Sequence, residues 1–488
     1  RAYRRHEASL ISEDPIVETT VHLWNGIEQR IVENIENGFR FLQSTGARLL
    51  KPAAPVSFSE VCTDTRAIAK GSLFVAFKGT SFNGHDFVGK ALEAGAAGAV
   101  VSEVRPEYEG LTAPLFVVAD TLKAYQDLAR FHRRRFSIPV VAVTGSVGKT
   151  STRNMIATVL GEKYKVLQTE KNFNNEIGLP KTLLQLTPDH EACVVEMGMR
   201  GLGQIAELAA IGEPTIGVVT NVGKSHIELL GSQENIAKAK GELIQALDEK
   251  GTAVLNGDDP FVRQMTALCQ GTSVLYGTGM DDAVRADAIV CDEQGVRFHC
   301  HCFGSGFEAA MPVIGRHNVY NALAAIAVGH LTGLSIEEIQ RGLASYRGMA
   351  MRQELLHIGP YTFINDTYNA NPASMAEAIR TLDLLTKGRK IAVLGGMGEL
   401  GDWAKREHEA IGRLVAQTGL DALITMGNLA KDIAAAAQAE GMTAVYTTDT
   451  HEQAARQLQA LLQDGDTVLL KGSRSFAMEK ILPYFERK

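Results

Sequence analysis

Short apolar runs alternate along most of this chain with stretches in which apolar residues recur every three or four positions. The runs predict buried strands and the stretches predict helices laid over them. From about residue 55 to 136, "GSLFVAF", "AGAVVS" and "PLFVVA" read as strands and "HDFVGKALEAG" as a helix, which makes a small α/β domain. "SIPVVAV" then opens a region where "ACVVEMG", "TIGVVTNVG" and "GTAVLNGDD" alternate with helical patterns, as in a mostly parallel sheet covered on both faces. A third region starts near 348 and repeats the habit with "KIAVLGGMG", "ALITMG", "TAVYTTD" and "DTVLLKGS". The pattern predicts an α/β protein of three domains, at 46–136, 137–347 and 348–488, the last of them Rossmann-like. Residues 1–45 form an extension that includes "IVETTVHLWNGIEQRIVENIENGFRFLQSTG", whose period suggests helix and to which no role is assigned.

Length agrees, because 488 residues exceed what one hydrophobic core organises. With 45% hydrophobic and 22% charged residues the composition is that of a globular protein, and the net charge of −7 argues against bulk nucleic-acid binding. The basic run "RFHRRRF" at 130–136 reads as a solvated surface segment. No apolar run approaches the roughly 18–20 residues that span a bilayer, so a cytoplasmic location is expected. Six scattered cysteines make no disulfide framework and fit a reducing compartment. "HCHC" at 299–302 has the composition of a zinc cluster, but its surroundings read as a hairpin. A strand there puts His299 and His301 on one face and Cys300 and Cys302 on the other, which denies a tetrahedral site.

Two glycine-rich turns carry candidate chemistry. "GGMGELG" contains G-x-G-x-x-G at Gly396, Gly398 and Gly401, between a strand and the helical "DWAKREHEAIGRLV". No acidic residue ends a following strand where a ribose partner belongs, so this reads as a structural turn rather than a nicotinamide or flavin site. "VVAVTGSVGKTST" at 140–152 has the context of a phosphate loop, a buried strand before it and a helix after it, but the spacing G-x-x-G-K-T is shorter than the usual one. Gly145 and Gly148 would let backbone N–H groups approach phosphate oxygens, with Ser146 and Val147 between them. Lys149 would meet the β- and γ-phosphates, and Thr150 or Ser151 would offer a hydroxyl to Mg²⁺. Glu196 and His226 stand after apolar runs, where a magnesium site outside the strand ends would want them. Taken alone, each is more often a surface or capping residue.

The short-spaced loop resembles that of the Mur ligases, the ATP-dependent amide-bond formers of peptidoglycan synthesis. "KNFNNEIGLP", "VVEMGM", "TNVGKSHIELLGSQENIAKAKGEL", "LNGDDP" and "GRHNVYNALAA" follow it in the order that this family keeps. "TDTRAIAKGSLFVAFKGTSFNGHDF", "NDTYNANPASM", "LGGMGELG" and "LLKGSRSFAMEKIL" are similar to the branch that adds D-alanyl-D-alanine, and the likeness covers residues from about 45 to 488. It implies an ATP-dependent ligase whose substrates are UDP-N-acetylmuramoyl-tripeptide and D-Ala-D-Ala, acting as a monomer with two magnesium ions and a carbamylated lysine. The tripeptide carboxylate would be activated as an acyl phosphate.

The resemblance also implies a role for each matched residue. Lys149 and Thr150 would carry the triphosphate and its magnesium, and Glu196 would be a ligand to that metal. His226 would bind a second magnesium, and Lys240 in "AKAKGEL" would be the lysine that CO₂ converts to a carbamate. Asn174 and Asn175 would lie near the phosphates and the substrate. Asn256 would meet adenine, with Asn318 in the same nucleotide pocket, and Arg352 and Asp366 would close over phosphate and ribose. Thr65, Arg66, Lys78 and His85 would hold the uridine diphosphate end, and Lys471 and Arg474 would face an anion in the closed site. A sister ligase adding another amino acid is disfavoured by "NDTYNANP" and "KGSRS" and by the lack of a D-N-P-R motif. A protein using nucleotide only as a switch would have no use for a carbamate. "YRGMAMRQE" at 346–354, with Gly348, reads as a hinge between the second and third domains.

Overall fold

The computed structural model describes residues 58–486 and the backbone of the strand Arg48–Leu50. The helix expected within residues 1–45 lies outside the described residues. Three sheets carry the chain, as the apolar runs predict. The described residues fall into two compact units. The first holds residues 58–137 with the Arg48–Leu50 strand and takes in segments 176–188 and 210–213. The second holds 138–175, 189–209 and everything from 214 onward.

In the first unit the spatial order of strands is Arg48–Leu50, Leu115–Val117, Gly98–Val101, Leu73–Val75 and Val61–Cys62. The last four run parallel and the first is antiparallel to its neighbour. Phe58, Val75, Val100, Phe116 and Tyr125 fill one face of this sheet, and Phe74, Val88, Ala99, Val101 and Leu115 the other. The helix Thr121–Arg134 starts at Asp120, whose carboxylate accepts from the N–H groups of Leu122 and Lys123. Its Arg133 is buried and donates to the carbonyls of Gly212 and Glu213, which ties in the segment 210–213.

The second unit contains a nine-stranded and a six-stranded sheet. In the larger, Val140–Thr144 lies between Ile216–Val219 and Ala192–Glu196, parallel to both. The chain leaves Val140–Thr144 toward the Val166–Gln168 edge, returns to Ala192–Glu196 and then continues on the other side. That reversal of strand order opens a crevice at the carboxyl ends, where open α/β sheets bind ligands. Helices Lys149–Leu160 and His317–Leu331 close one face of this sheet. Met155, Ile156, Val159 and Leu160 of the first pack against a second helix buried almost all round, from Val319 to Val328. At the far edge, Gly295–Cys302 and Ser305–Met311 form the expected hairpin. Cys300 and Cys302 are buried while His299 and His301 share the partly exposed face, bonded to Glu308 and Asp287. The alternation that argued against zinc is the one present.

The smaller sheet runs Glu354–Ile358, Tyr361–Asp366, Thr467–Lys471, Lys390–Leu394, Ala422–Met426 and Val445–Thr448, with only the first strand antiparallel. Its core is built by Phe363, Val393, Ile424, Leu458 and Leu470. Among the described residues no helix is long and apolar enough to cross a membrane.

Candidate active site

The turn after Val140–Thr144 is held open by its neighbour strand. Gly145 has φ +154°, and a Cβ on it would stand 1.8 Å from Thr220 Oγ1, so only glycine fits. Asn221 clamps the next residues. Its carbonyl accepts from Ser146 N–H at 3.0 Å, its Oδ1 accepts from Val147 N–H at 2.8 Å, and its Nδ2 donates to the Val147 carbonyl at 3.0 Å. The Ser146 and Val147 amides, expected among the phosphate donors, are therefore committed within the protein. Gly148, at φ +82°, caps the helix Lys149–Leu160 without a side-chain bond. The first amides of that helix have no intrahelical acceptor, and together with the helix dipole they form an anion site. Lys149 reaches back to the Gly145 carbonyl at 2.8 Å, and burial lowers its pKa from the ordinary lysine range.

Glu196 ends its strand fully buried and is gripped from two sides. Asn174 Nδ2 donates to one oxygen at 2.8 Å and Arg153 to the other at 3.3 Å. Asn174 thus meets the carboxylate. Asn175, beside it, is exposed. Arg153 was not expected from the sequence. It stands one turn after Lys149 on the helix, also donates to the Lys171 carbonyl, and is as buried as its partner. Thr150 is buried and accepts from Arg352 at 3.2 Å, and Arg352 stacks on the Tyr368 ring at 4.1 Å. The structure thus brings Lys149, Thr150, Arg153, Glu196 and Arg352 to one place.

Lys240 and His226 both lie within reach of the Lys149 charge. Lys240 is buried on Gln233–Gln245, and enclosure, reinforced by Lys149, pushes its pKa well below the ordinary lysine value. His226 has φ +63° and its pKa is lowered, chiefly by burial. Glu399 Oε2 lies 2.7 Å from its Nδ1, too far off the N–H line to count as a hydrogen bond. Asn318 lines a cavity of about 230 Å³ with Ser151, His317, Tyr346 and Arg352, whereas Asn256 lines one of about 330 Å³ with Asp258, Asp259 and Tyr320. Asn256 spends its amide on the Thr220 carbonyl and the Asp258 N–H.

Asp366 does not stand free. It accepts from the buried Lys471 at 2.8 Å, and Lys471 also donates to the Asn369 carbonyl. Lys471 is therefore held by two protein oxygens, while the exposed Arg474 pairs with Glu479. The "GGMGELG" turn is closed on itself. Met397 N–H donates to His408 Nε2, Gly398 N–H to Ser473 Oγ, and the Phe476 ring lies where a Cβ on Gly396 would be.

In the first unit Arg66 chelates Asp64, whose carboxyl that bond holds down at about 2, and Thr65 lies between them in sequence. Lys78 is exposed, 3.8 Å from Glu103. His85 is buried, accepting from Ser102 N–H on Nε2 and facing Asn83 Oδ1 with Nδ1, so both ring nitrogens are used to order its loop.

Among the described residues no group of three or more His, Cys, Asp or Glu side chains forms a metal cage. One held carboxylate and one hydroxyl beside a phosphate loop still fit magnesium, which keeps waters and takes phosphate oxygens in preference to an all-protein cage.

Family models match in three consecutive parts. "Mur ligase family, catalytic domain" matches residues 57–133, "Mur ligase middle domain" residues 143–329, and "Mur ligase, glutamate ligase domain" residues 351–474. The UDP-N-acetylmuramoyl-tripeptide–D-alanyl-D-alanine ligase of Synechocystis sp. is 40% identical over 451 residues, which are 91% of this chain and 95% of that protein. The ligase of the same name from Bacillus subtilis is 38% identical over 430 residues, covering 86% and 92%. Among solved structures, MurF from Acinetobacter baumannii superposes with a TM-score of 0.85 at 30% identity, covering 92% of this chain and 98% of that one. MurF ligase from Thermotoga maritima in complex with ADP gives 0.80 at 29%, covering 88% and 97%.

Proposed function

The chain belongs to the Mur ligase family, and from that premise we propose that it joins D-alanyl-D-alanine to UDP-N-acetylmuramoyl-tripeptide, with ATP cleaved to ADP and phosphate. The observation that carries the reading is the crevice at Val140–Thr144, where a glycine-held anion site, a half-buried lysine and a clamped carboxylate converge. The relatives named above, alike across all three family parts, supply the substrates.

A carboxylate is a poor electrophile, because its only leaving group is oxide or hydroxide. The tripeptide carboxylate therefore attacks the γ-phosphorus of ATP, the bond to ADP breaks, and an acyl phosphate forms. The D-Ala-D-Ala amine then attacks the acyl carbon and phosphate leaves. Lys149 and Arg352 offset the repulsion between carboxylate and triphosphate. Arg153 and Asn174 hold the Glu196 side chain in place by hydrogen bonds to its two oxygens. Thr150 and Glu196 would hold magnesium, with His226 beside a second position, and the ion would supply charge neutralisation to the phosphates. Ser151, Asn318 and Arg352 line the cavity assigned to the nucleoside, and Thr65, Arg66 and Lys78 present the polar surface assigned to the uridine diphosphate, with His85 ordering its loop. The domain limits at 46–136, 137–347 and 348–488, a monomeric state and a cytoplasmic location belong to the same reading.

Lys240 has the chemistry that a carbamate requires. CO₂ adds to a neutral amine, and burial beside Lys149 favours the neutral form. The product is an anion, which would suit magnesium where an ammonium repels it.

Phosphate release from ATP and Mg²⁺ tests the proposal, with the UDP-muramoyl tripeptide and D-Ala-D-Ala supplied separately and together. Release that needs both is expected, as is a fall when bicarbonate and CO₂ are withdrawn from the native protein but not from Lys240→Ala. Release with neither, or only with another amine, would overturn the assignment.

A further inference from the structure

The loop 221–228 joins three things. Asn221 clamps the phosphate loop, Gly223 N–H donates to Ser146 Oγ at 2.8 Å, and His226 stands at a proposed metal position. Between and after these, every second side chain meets the third domain. Lys224 donates to Glu407 at 2.6 Å beneath the Trp403 ring, 5.6 Å from its centroid. His226 faces Glu399 at 2.7 Å, and Arg200 approaches the same carboxylate at 3.4 Å. The Glu228 side chain lies across Gly401, where a Cβ would stand 2.9 Å from its Cγ. Glu399 has φ +59° and Gly401 φ +52°, so the backbone that meets the loop is itself held in the left-handed region.

Glu407 is the telling member. It sits in the first turn of Ala404–Thr418 with its side chain 7% exposed, and a buried carboxylate is stable only when partnered. Its partner lies in the loop that follows a strand of the larger sheet, between Gly223 and Ser225, both of which bond Ser146. The third domain therefore grips the loop beside the reacting phosphates through Glu407–Lys224, one residue from the Gly223–Ser146 bond and two from His226.

We propose that Glu407 and Lys224 are positioning residues, a strut by which docking of the third domain sets the phosphate loop and His226 for magnesium-nucleotide. Neither touches the reacting atoms. The inference rests on the ligase reading only for its activity assay.

The test uses Glu407→Gln, Lys224→Met and the exchanged pair Lys224→Glu/Glu407→Lys in the full chain. Two readouts are taken: the Mg²⁺ concentration for half-maximal phosphate release, and the rise in melting temperature that Mg²⁺ adds to ADP alone. Each single variant should raise half-saturating Mg²⁺ roughly ten-fold, the usual effect of losing an outer partner of a metal site. Each should also lose most of the Mg²⁺-dependent melting increment while keeping the ADP-only shift. The exchanged pair should recover both relative to the singles. Folded single variants with native Mg²⁺ dependence in both readouts would overturn the strut, as would an exchanged pair no better than the singles. If the native chain releases no phosphate with both substrates, the ligase reading fails, and the melting increment still decides the strut.

Discussion

His408 has no exposed surface, and both of its ring nitrogens are committed. Nε2 accepts from Met397 N–H at 2.8 Å and Nδ1 faces the Ala404 carbonyl, so the neutral tautomer with its proton on Nδ1 fits the site. Burial lowers its pKa below the ordinary value, as it does for His85, His132, His190 and His226. In the unfolded chain such a histidine takes up a proton near pH 6.5. The unfolded state therefore binds more protons than the native one below that point. The stabilisation is complete above about pH 6.5 and is lost as the pH falls toward the lower folded value. The melting temperature should drop between pH 7.5 and 5.5, and His408→Gln, whose amide oxygen can still accept from Met397, should flatten part of that slope. A slope identical in the variant would show that His408 contributes none of it.

At the scale of elements, the phosphate loop depends on a single absent side chain. Gly145→Ala would drive a methyl group against Thr220 Oγ1 and Cβ at a φ that L residues rarely adopt. The loop would shift while the surrounding sheet, buried on both faces, stays folded. ADP binding by calorimetry should weaken at least ~10-fold, about 1.4 kcal/mol. Adding Thr220→Ala should restore part of the loss, because it removes the nearer obstacle and leaves the backbone strain. Unchanged ADP affinity in Gly145→Ala would remove the loop from the site. This loop was readable in the sequence because all its chemistry lies within a few residues: strand, glycines, lysine and helix in order. The strand-end position of Glu196 and the two faces of the "HCHC" strand were readable for the same reason, from local period alone. Arg153 was not, since its partner lies 43 residues away, nor was Lys224, 183 residues from Glu407. Nor was the partner of Lys471: the motif marks it as a lysine that faces an anion, and only the fold sets it against Asp366, 105 residues away. Segments 176–188 and 210–213, which sit in the first unit, were invisible to a reading in consecutive blocks.

The whole molecule is acidic, yet Lys149 and Arg153 share one carboxylate at the phosphate loop, with Arg352 close enough to repel both and the buried Lys240 feeling the Lys149 charge. A net charge of −7 gives no long-range pull on ATP or on a nucleotide sugar, so attraction must be local and focused by the crevice. Such a site gains from being assembled only when its anion is present. Two cations, Lys224 and Arg352, take part in contacts that cross from the central sheet's domain to the third, at Glu407 and Thr150. The connection between those domains carries three left-handed residues close together, Gly348 at +75°, Met351 at +60° and Gln353 at +51°. Non-glycine residues in that region cost about 1–2 kcal/mol each, a cost that a second arrangement of the segment would release. The proposed hinge at 346–354 thus has a source of strain on one side and, opposing it on the other, an ion pair and a hydrogen bond. Small-angle scattering should register the balance. Magnesium, ADP and the UDP-muramoyl tripeptide together should contract the particle relative to the free chain, and Glu407→Gln should expand the free chain toward the undocked arrangement. Curves that superimpose under all three conditions would show that the two domains move as one body and that the strained segment is a fixed turn.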